Sequence, residues 1–110
     1  MMLDKGDVVT VIAPGDYGKP RPAVIVQASS FAEAHPSLTV CPLTTHLTGL
    51  RIFRVAIAPD GSNGLKQTSE VMVDKVSSLD RTRIGFQIGK LSPGDRTAVD
   101  GALRRWFGFE

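Results

Sequence analysis

Short stretches with β-like hydrophobic patterns, separated by Gly, Pro and Asp, fill the first three-quarters of the chain. Val8 to Ile12 is rich in β-branched residues and is closed by Ala13-Pro14-Gly15-Asp16, a turn signal. Pro22 to Gln27 predicts a second strand, and its continuous apolar run implies burial on both faces. Ser29 to His35 reads as one helical turn, stopped before Pro36. Leu38 to Leu43 and Ile52 to Ala58 predict two more strands, the latter with Phe53, Val55 and Ile57 on one face. Glu70 to Ser77 reads as a fifth strand, in which Val71, Val73 and Lys75 alternate with Met72, Asp74 and Val76. Asp80 to Arg83 predicts a turn, and the alternation of Ile84, Phe86 and Ile88 a last short strand.

The period then changes. Ser92-Pro93-Gly94-Asp95 predicts a helix start, with Ser92 as cap, Pro93 in the first turn and Asp95 at the capping-box position. Ala98, Val99, Ala102, Leu103 and Trp106 make one apolar helical face, and Arg104 and Arg105 suit the negative end of the helix dipole. The expected architecture is mainly β with a C-terminal α-helix: a small antiparallel barrel in a single domain, residues 1–110. A core of this size is modest, so a homodimer is expected to add stability.

Composition narrows the function classes. The chain is 42% hydrophobic and 22% charged, which argues against wholesale disorder. Thirteen basic residues against 11 acidic ones give a formal charge of +2. That excludes a grip on nucleic acid by bulk charge, though not by a local basic site. One cysteine, Cys41, and two histidines offer neither a disulfide nor a zinc set, and Cys41 is expected to be a buried small hydrophobe. No metal or cofactor is expected. There is no apolar run near the ~20 residues of a membrane helix and no signal-peptide pattern, so a soluble cytoplasmic protein is expected.

Three stretches could carry chemistry. Arg21 stands between Pro20 and Pro22, which restrict the backbone on both sides, where a loop meets a buried strand. A guanidinium held there suits a phosphate or a carboxylate, while an ordinary ion pair is the bland alternative. Thr44, Thr45 and His46 follow a strand end, where hydroxyls can hold a phosphate oxygen or bond to the local backbone. Asp74-Lys75 places a carboxylate in an apolar strand, with the two side chains on opposite faces; an Asp–Arg pair would hold an arginine in place. There is no Gly-x-Ser-x-Gly elbow, P-loop or dinucleotide fingerprint.

Taken together, Gly6-Asp7-Val8-Val9, Lys19 to Val26, Val40 to Thr45, Val73 to Asp80 and the terminal helix resemble the MazF/PemK toxins of bacterial type II toxin–antitoxin systems. The resemblance covers nearly the whole chain. It implies an SH3-like barrel, a homodimer, a cognate antitoxin partner and metal-independent, sequence-specific cleavage of single-stranded RNA. The family pattern places a catalytic arginine at Arg21 and a catalytic threonine at Thr44; some PemK-like members add an aspartate matching Asp74, here a possible base. Lys75 and Ser77 stand where many relatives carry Gln and Arg, and Met72 where PemK-like members carry Arg. Candidate RNA contacts are Tyr17, Lys19, Thr45, His46, Arg51, Arg54 and Lys75, with Phe31 and Phe53 as further aromatics. Two alternatives stay open. One is a gyrase-directed toxin of CcdB type, for which Arg105-Trp106-Phe107-Gly108 is a loose tail resemblance; the other is a relative that binds RNA or antitoxin without catalysis.

Overall fold

The computed structural model describes residues 3–109. Seven strands form one antiparallel sheet: β1 (Asp7–Val11), β2 (Arg21–Ile25), β3 (Ser37–Thr44), β4 (Arg54–Ile57), β5 (Ser69–Met72), β6 (Ser77–Asp80) and β7 (Ile84–Lys90). A short helix α1 (Ser29–Ala32) precedes β3, and α2 (Pro93–Phe107) ends the fold. The strand order is β4-β5-β3-β2-β1-β7, with β6 also paired to β3. Strand β3 organises the sheet because it is long enough to serve three neighbours. One edge pairs with β2; the other pairs with β6 over Ser37–Val40 and with β5 at Leu43 and Thr44.

The two-residue period of the central strands sends side chains to both faces, and both faces are covered. Val8, Val24, Cys41 and Leu43 pack with Val99 and Ala102 of α2. Val9, Ala23, Ile25, Leu38 and Val40 pack with Ala32 of α1 and with Leu79. Burial on both faces of β2 follows the expectation from its apolar run. Cys41 is fully buried. Burial pushes its thiol up to about 12, and the Asp74 carboxylate adds to the rise.

Helix α2 starts as its sequence predicts: the Ser92 hydroxyl accepts from the Asp95 amide at 3.2 Å, with Pro93 in the first turn. Gly108, at φ 74°, ends it in the left-handed conformation that glycine adopts freely. Val99 and Ala102 are buried as expected, whereas Trp106 is 46% exposed and leans on Phe53 with ring centroids 5.7 Å apart. Ala98 is exposed.

Three expectations need correction. Glu70 to Ser77 is not one strand: a 3-10 turn over Val73–Lys75 divides β5 from β6. The turn lets β6 move along β3 to its first half, while Val73 stays buried and Asp74 turns toward Arg54. Asp74 and Lys75 therefore do not sit on opposite faces of a strand. The fourth strand is also shorter than expected, Arg54–Ile57, and Phe53 precedes it. Finally, the barrel is open, since no ladder among the described residues joins β4 to β7. The loop after β4 fills that place. The Lys90 amide donates to the Ser62 carbonyl at 2.9 Å. A side chain on Gly64 would strike the Ile88 carbonyl, and one on Gly89 would strike the backbone of Ser62 and Asn63. Backbone thus packs on backbone, and only glycine permits it.

Candidate active site

The register of β2 against β3 decides where Arg21 lies. Ala23 faces Pro42, Val24 faces Cys41 and Ile25 faces Val40. The paired ladder ends at Ala23–Pro42, two residues short of Arg21 on β2 and of Thr44 on β3. Each residue is two positions from the Ala23–Pro42 pair, so both project from the same face. Arg21 is the first residue of β2 and Thr44 the last of β3. Two adjacent strands therefore present a guanidinium and a hydroxyl at one end of the sheet.

Both groups retain capacity for a ligand. The Arg21 side chain is 48% exposed, and its one ion-pair partner among the described residues is Asp16, at 3.5 Å from Nε. That distance is long for a charge-assisted hydrogen bond. The Thr44 hydroxyl oxygen accepts from the His46 amide at 3.1 Å. That bond occupies a lone pair and leaves the O–H able to donate. Thr45 and His46 follow on the exposed surface.

Arg21 and Thr45 line a common groove of about 260 Å³ with Lys66, Gln67, Leu65 and Ile88. Pro20 and Pro22 form part of the same wall, so the residues that restrict the backbone of Arg21 also shape its surroundings. The loop from Ile12 to Pro20 stands beside it. Its turns need left-handed backbone at Gly15, Tyr17 and Gly18, and Tyr17, at φ 52°, is fully exposed. A non-glycine residue at positive φ is uncommon and is found more often at functional positions. Lys19 is exposed in the same loop.

The other candidates lie apart from this groove. Arg54 is not a free groove cation. Its side chain is 11% exposed; Nε donates to Asp74 Oδ1 at 2.7 Å and Nη2 to Oδ2 at 3.2 Å. Nη1 lies 3.7 Å from Glu70 Oε1. The Arg54 hydrogen bond holds the Asp74 carboxyl below its ordinary value, against the opposing effect of burial. Arg51, exposed, lines a second groove of about 510 Å³ between the β3–β4 loop and α2, together with Arg54 and Arg105. Lys75 is exposed on the 3-10 turn, and Phe31 is 62% exposed on α1. Among the described residues, no three His, Cys, Asp or Glu side chains cluster as metal ligands.

Three residues escape the sequence reading. Lys66 and Gln67 belong to a polar loop with no motif, and only the packing of that loop beside Arg21 brings them in. Glu70 carries a visible signal, an acidic residue opening an apolar strand, and it is almost fully buried at 3% exposure.

The family model of PemK-like, MazF-like toxins of type II toxin–antitoxin systems matches residues 4–107. The chain belongs to this family. It is 38% identical over 107 residues to a probable endoribonuclease MazF of Mycolicibacterium smegmatis, covering 96% of this chain and 97% of that one. Its fold is similar to that of the Mycobacterium tuberculosis toxin MazF-mt6, with TM-score 0.80, 27% identity and coverage of 93% and 96%. It is also similar to MazF solved with MazE from Deinococcus radiodurans, with TM-score 0.79, 25% identity and 98% of each chain. No helix among the described residues is long and apolar enough to cross a membrane.

Proposed function

We propose that this chain is the toxin of a type II toxin–antitoxin system, an endoribonuclease that cleaves single-stranded RNA with Arg21 and Thr44 at its reaction centre. One observation supports the assignment of the centre: a half-exposed guanidinium at the start of β2 lines an open groove with Thr45, the neighbour of Thr44 at the end of β3. Family membership and the named endoribonuclease relative support the activity.

In the proposed reaction the ribose 2′-oxygen attacks the adjacent phosphorus and loses its proton. The bond from phosphorus to the 5′-oxygen breaks, and that oxygen takes up a proton. The products end in a 2′,3′-cyclic phosphate and a 5′-hydroxyl. Negative charge grows on the non-bridging oxygens as the fifth bond forms. Arg21 neutralises it with a fork of donors whose origin the two prolines hold in place. Thr44 donates a hydrogen bond to one of those oxygens and fixes the phosphate. Asp74 acts here through Arg54: a carboxylate bound bidentately and held below its ordinary pKa is a weak proton acceptor. Thr45, Lys66 and Gln67 line the path of the RNA, and Tyr17, Lys19 and His46 stand at its margins.

The chain works in the cytoplasm, as a homodimer, and is restrained by a cognate antitoxin. The MazE–MazF structure of Deinococcus radiodurans supports the last of these. The test is incubation of the purified protein in EDTA with single-stranded RNA of mixed sequence, beside Arg21→Ala, with end-group analysis. Discrete fragments ending in cyclic phosphate, reduced at least about a hundredfold in the variant, are expected. Cleavage by Arg21→Ala at the unaltered rate would remove Arg21 from the centre. No cleavage by the parent protein across a diverse pool would turn the reading toward binding without catalysis.

A further inference from the structure

We infer that Glu70 is a positioning residue for the RNA-facing loop between β3 and β4, an inference that rests on the function proposed above. Glu70 lies on β5 directly opposite Thr44 of β3. Its carboxylate is turned away from solvent, with 4% of the side chain exposed. Oε2 accepts from the consecutive amides of Thr48 and Gly49 at 3.0 and 2.9 Å. Oε1 accepts from the Thr48 hydroxyl at 2.9 Å and faces Arg54 at 3.7 Å. The Thr48 oxygen in turn accepts from the Leu50 amide at 3.2 Å. Two successive backbone N–H groups converging on one anion form a nest, and Gly49 supplies the left-handed backbone that completes the turn.

The loop needs this anchor because it has little else. Leu47, Leu50 and Ile52 are 51, 49 and 69% exposed, so burial of these side chains does not set the shape of its middle, and Phe53 packs on Trp106 only at its end. A second tether, the Arg105 guanidinium on the Ile52 carbonyl at 3.0 Å, lies at the far end. Thr45, His46 and Arg51 ride on the segment between Thr44 and Arg54. A buried carboxylate stripped of these donors would be costly, so loop closure and charge satisfaction are one event. Asp74 stands behind Arg54 and holds that cation against Glu70. In the glutamine variant an NH2 group meets the donors that converge on one of the two oxygens.

The test compares the parent chain with Glu70→Gln and with the milder Thr48→Val, which removes one donor and keeps the carboxylate. Amide hydrogen exchange at Thr48 and Gly49 needs no RNA and reads the anchor alone. Cleavage of a short RNA carrying a site mapped on the parent protein reads KM and kcat separately. We expect faster exchange at both amides in Glu70→Gln. We also expect a KM raised about tenfold or more with kcat within about twofold, because the loop contributes binding in the ground and transition states alike. Thr48→Val should shift KM in the same direction by less, and it remains informative if Glu70→Gln does not fold. Unchanged exchange in a folded variant would overturn the anchor. Faster exchange with unchanged KM would overturn the positioning role. A parent protein that cleaves no RNA would instead refute the proposed function and this role with it, while the exchange data would still decide whether the anchor exists.

Discussion

Asp74→Asn separates a structural carboxylate from a catalytic one. The substitution keeps the shape of the side chain, keeps one acceptor and removes the charge. In the parent it replaces one of two charge-assisted hydrogen bonds to Arg54, at 2.7 and 3.2 Å, with two facing NH2 groups. Breaking a fully buried ion pair by removing one partner costs ~3–5 kcal/mol. The side chains here are 11 and 18% exposed, one bond survives, and Glu70 still faces Arg54 at 3.7 Å. A loss of about 2 kcal/mol is therefore expected. With ~2.1 cal/mol/K of unfolding entropy per residue over 110 residues, that lowers Tm by about 8–9 °C. The pH dependence has a definite sign. The folded-state pKa of Asp74 is depressed, so its contribution is fully present above the ordinary carboxylate pKa of ~4 and is lost as pH falls through the lower folded value. The Tm gap between parent and variant should be full at pH 7 and shrink below pH ~4. Thermal melts at matched protein concentration across that range, with initial cleavage rates at 25 °C, check both. Activity within about fivefold of the parent is expected, because loss of a general base costs ~10²–10⁴. An unchanged Tm together with a rate loss of a hundredfold or more would refute the structural assignment and make Asp74 the base.

Variants at two further positions probe the proposed centre and the groove. Thr44→Val should lower kcat by about 10²-fold, the cost of one donor aimed at developing charge, and Thr44→Ser should restore most of it; equal rates for Val and Ser would show that the hydroxyl does not donate to the phosphate. Lys66→Ala should raise KM for all sequences alike and reduce the slope of log KM against log salt by about 0.7, the value for one phosphate contact on a single strand; an unchanged slope would place Lys66 off the RNA path.

The sequence was most legible where one local rule acts alone. The cap at Ser92 and the two-sided burial of β2 came through because each depends on residues a few positions apart. The break at Val73–Lys75 was hidden because its cause is remote: Arg54, 20 residues earlier, draws Asp74 out of the strand period. The pairing of Arg54 is hidden for the same reason. Within the expected strand Ile52 to Ala58 the arginine reads as a candidate groove residue until the carboxylates of Glu70 and Asp74 are seen on either side of it. The open barrel was likewise beyond local pattern, since it depends on Ser62 and Gly64 docking against the end of β7.

Arg21 and Thr44 show how two weak local signals gain meaning from the ends of adjacent strands. Each residue stands at a strand boundary with an ordinary alternative explanation, an ion pair for the arginine and a turn bond for the threonine. Both of those bonds are present, to Asp16 and from the His46 amide. Neither exhausts its group: the ion pair is long, and the turn bond uses an oxygen lone pair and not the hydroxyl proton. What the strands add is their common end: β2 opens at Arg21 and β3 closes at Thr44, whose cross-strand neighbour is Glu70. Side chains placed by paired strands are held to the precision of the sheet, whereas the bases of a flexible RNA must be met by adaptable loops. The division of labour follows from this. Under the proposed function, the sheet ends would hold the groups that meet one phosphate, and the loops of Tyr17, Thr45 and Lys66 those that meet the rest of the strand. Sequence preference should therefore change when the loops are altered, and the chemistry of the cut should not.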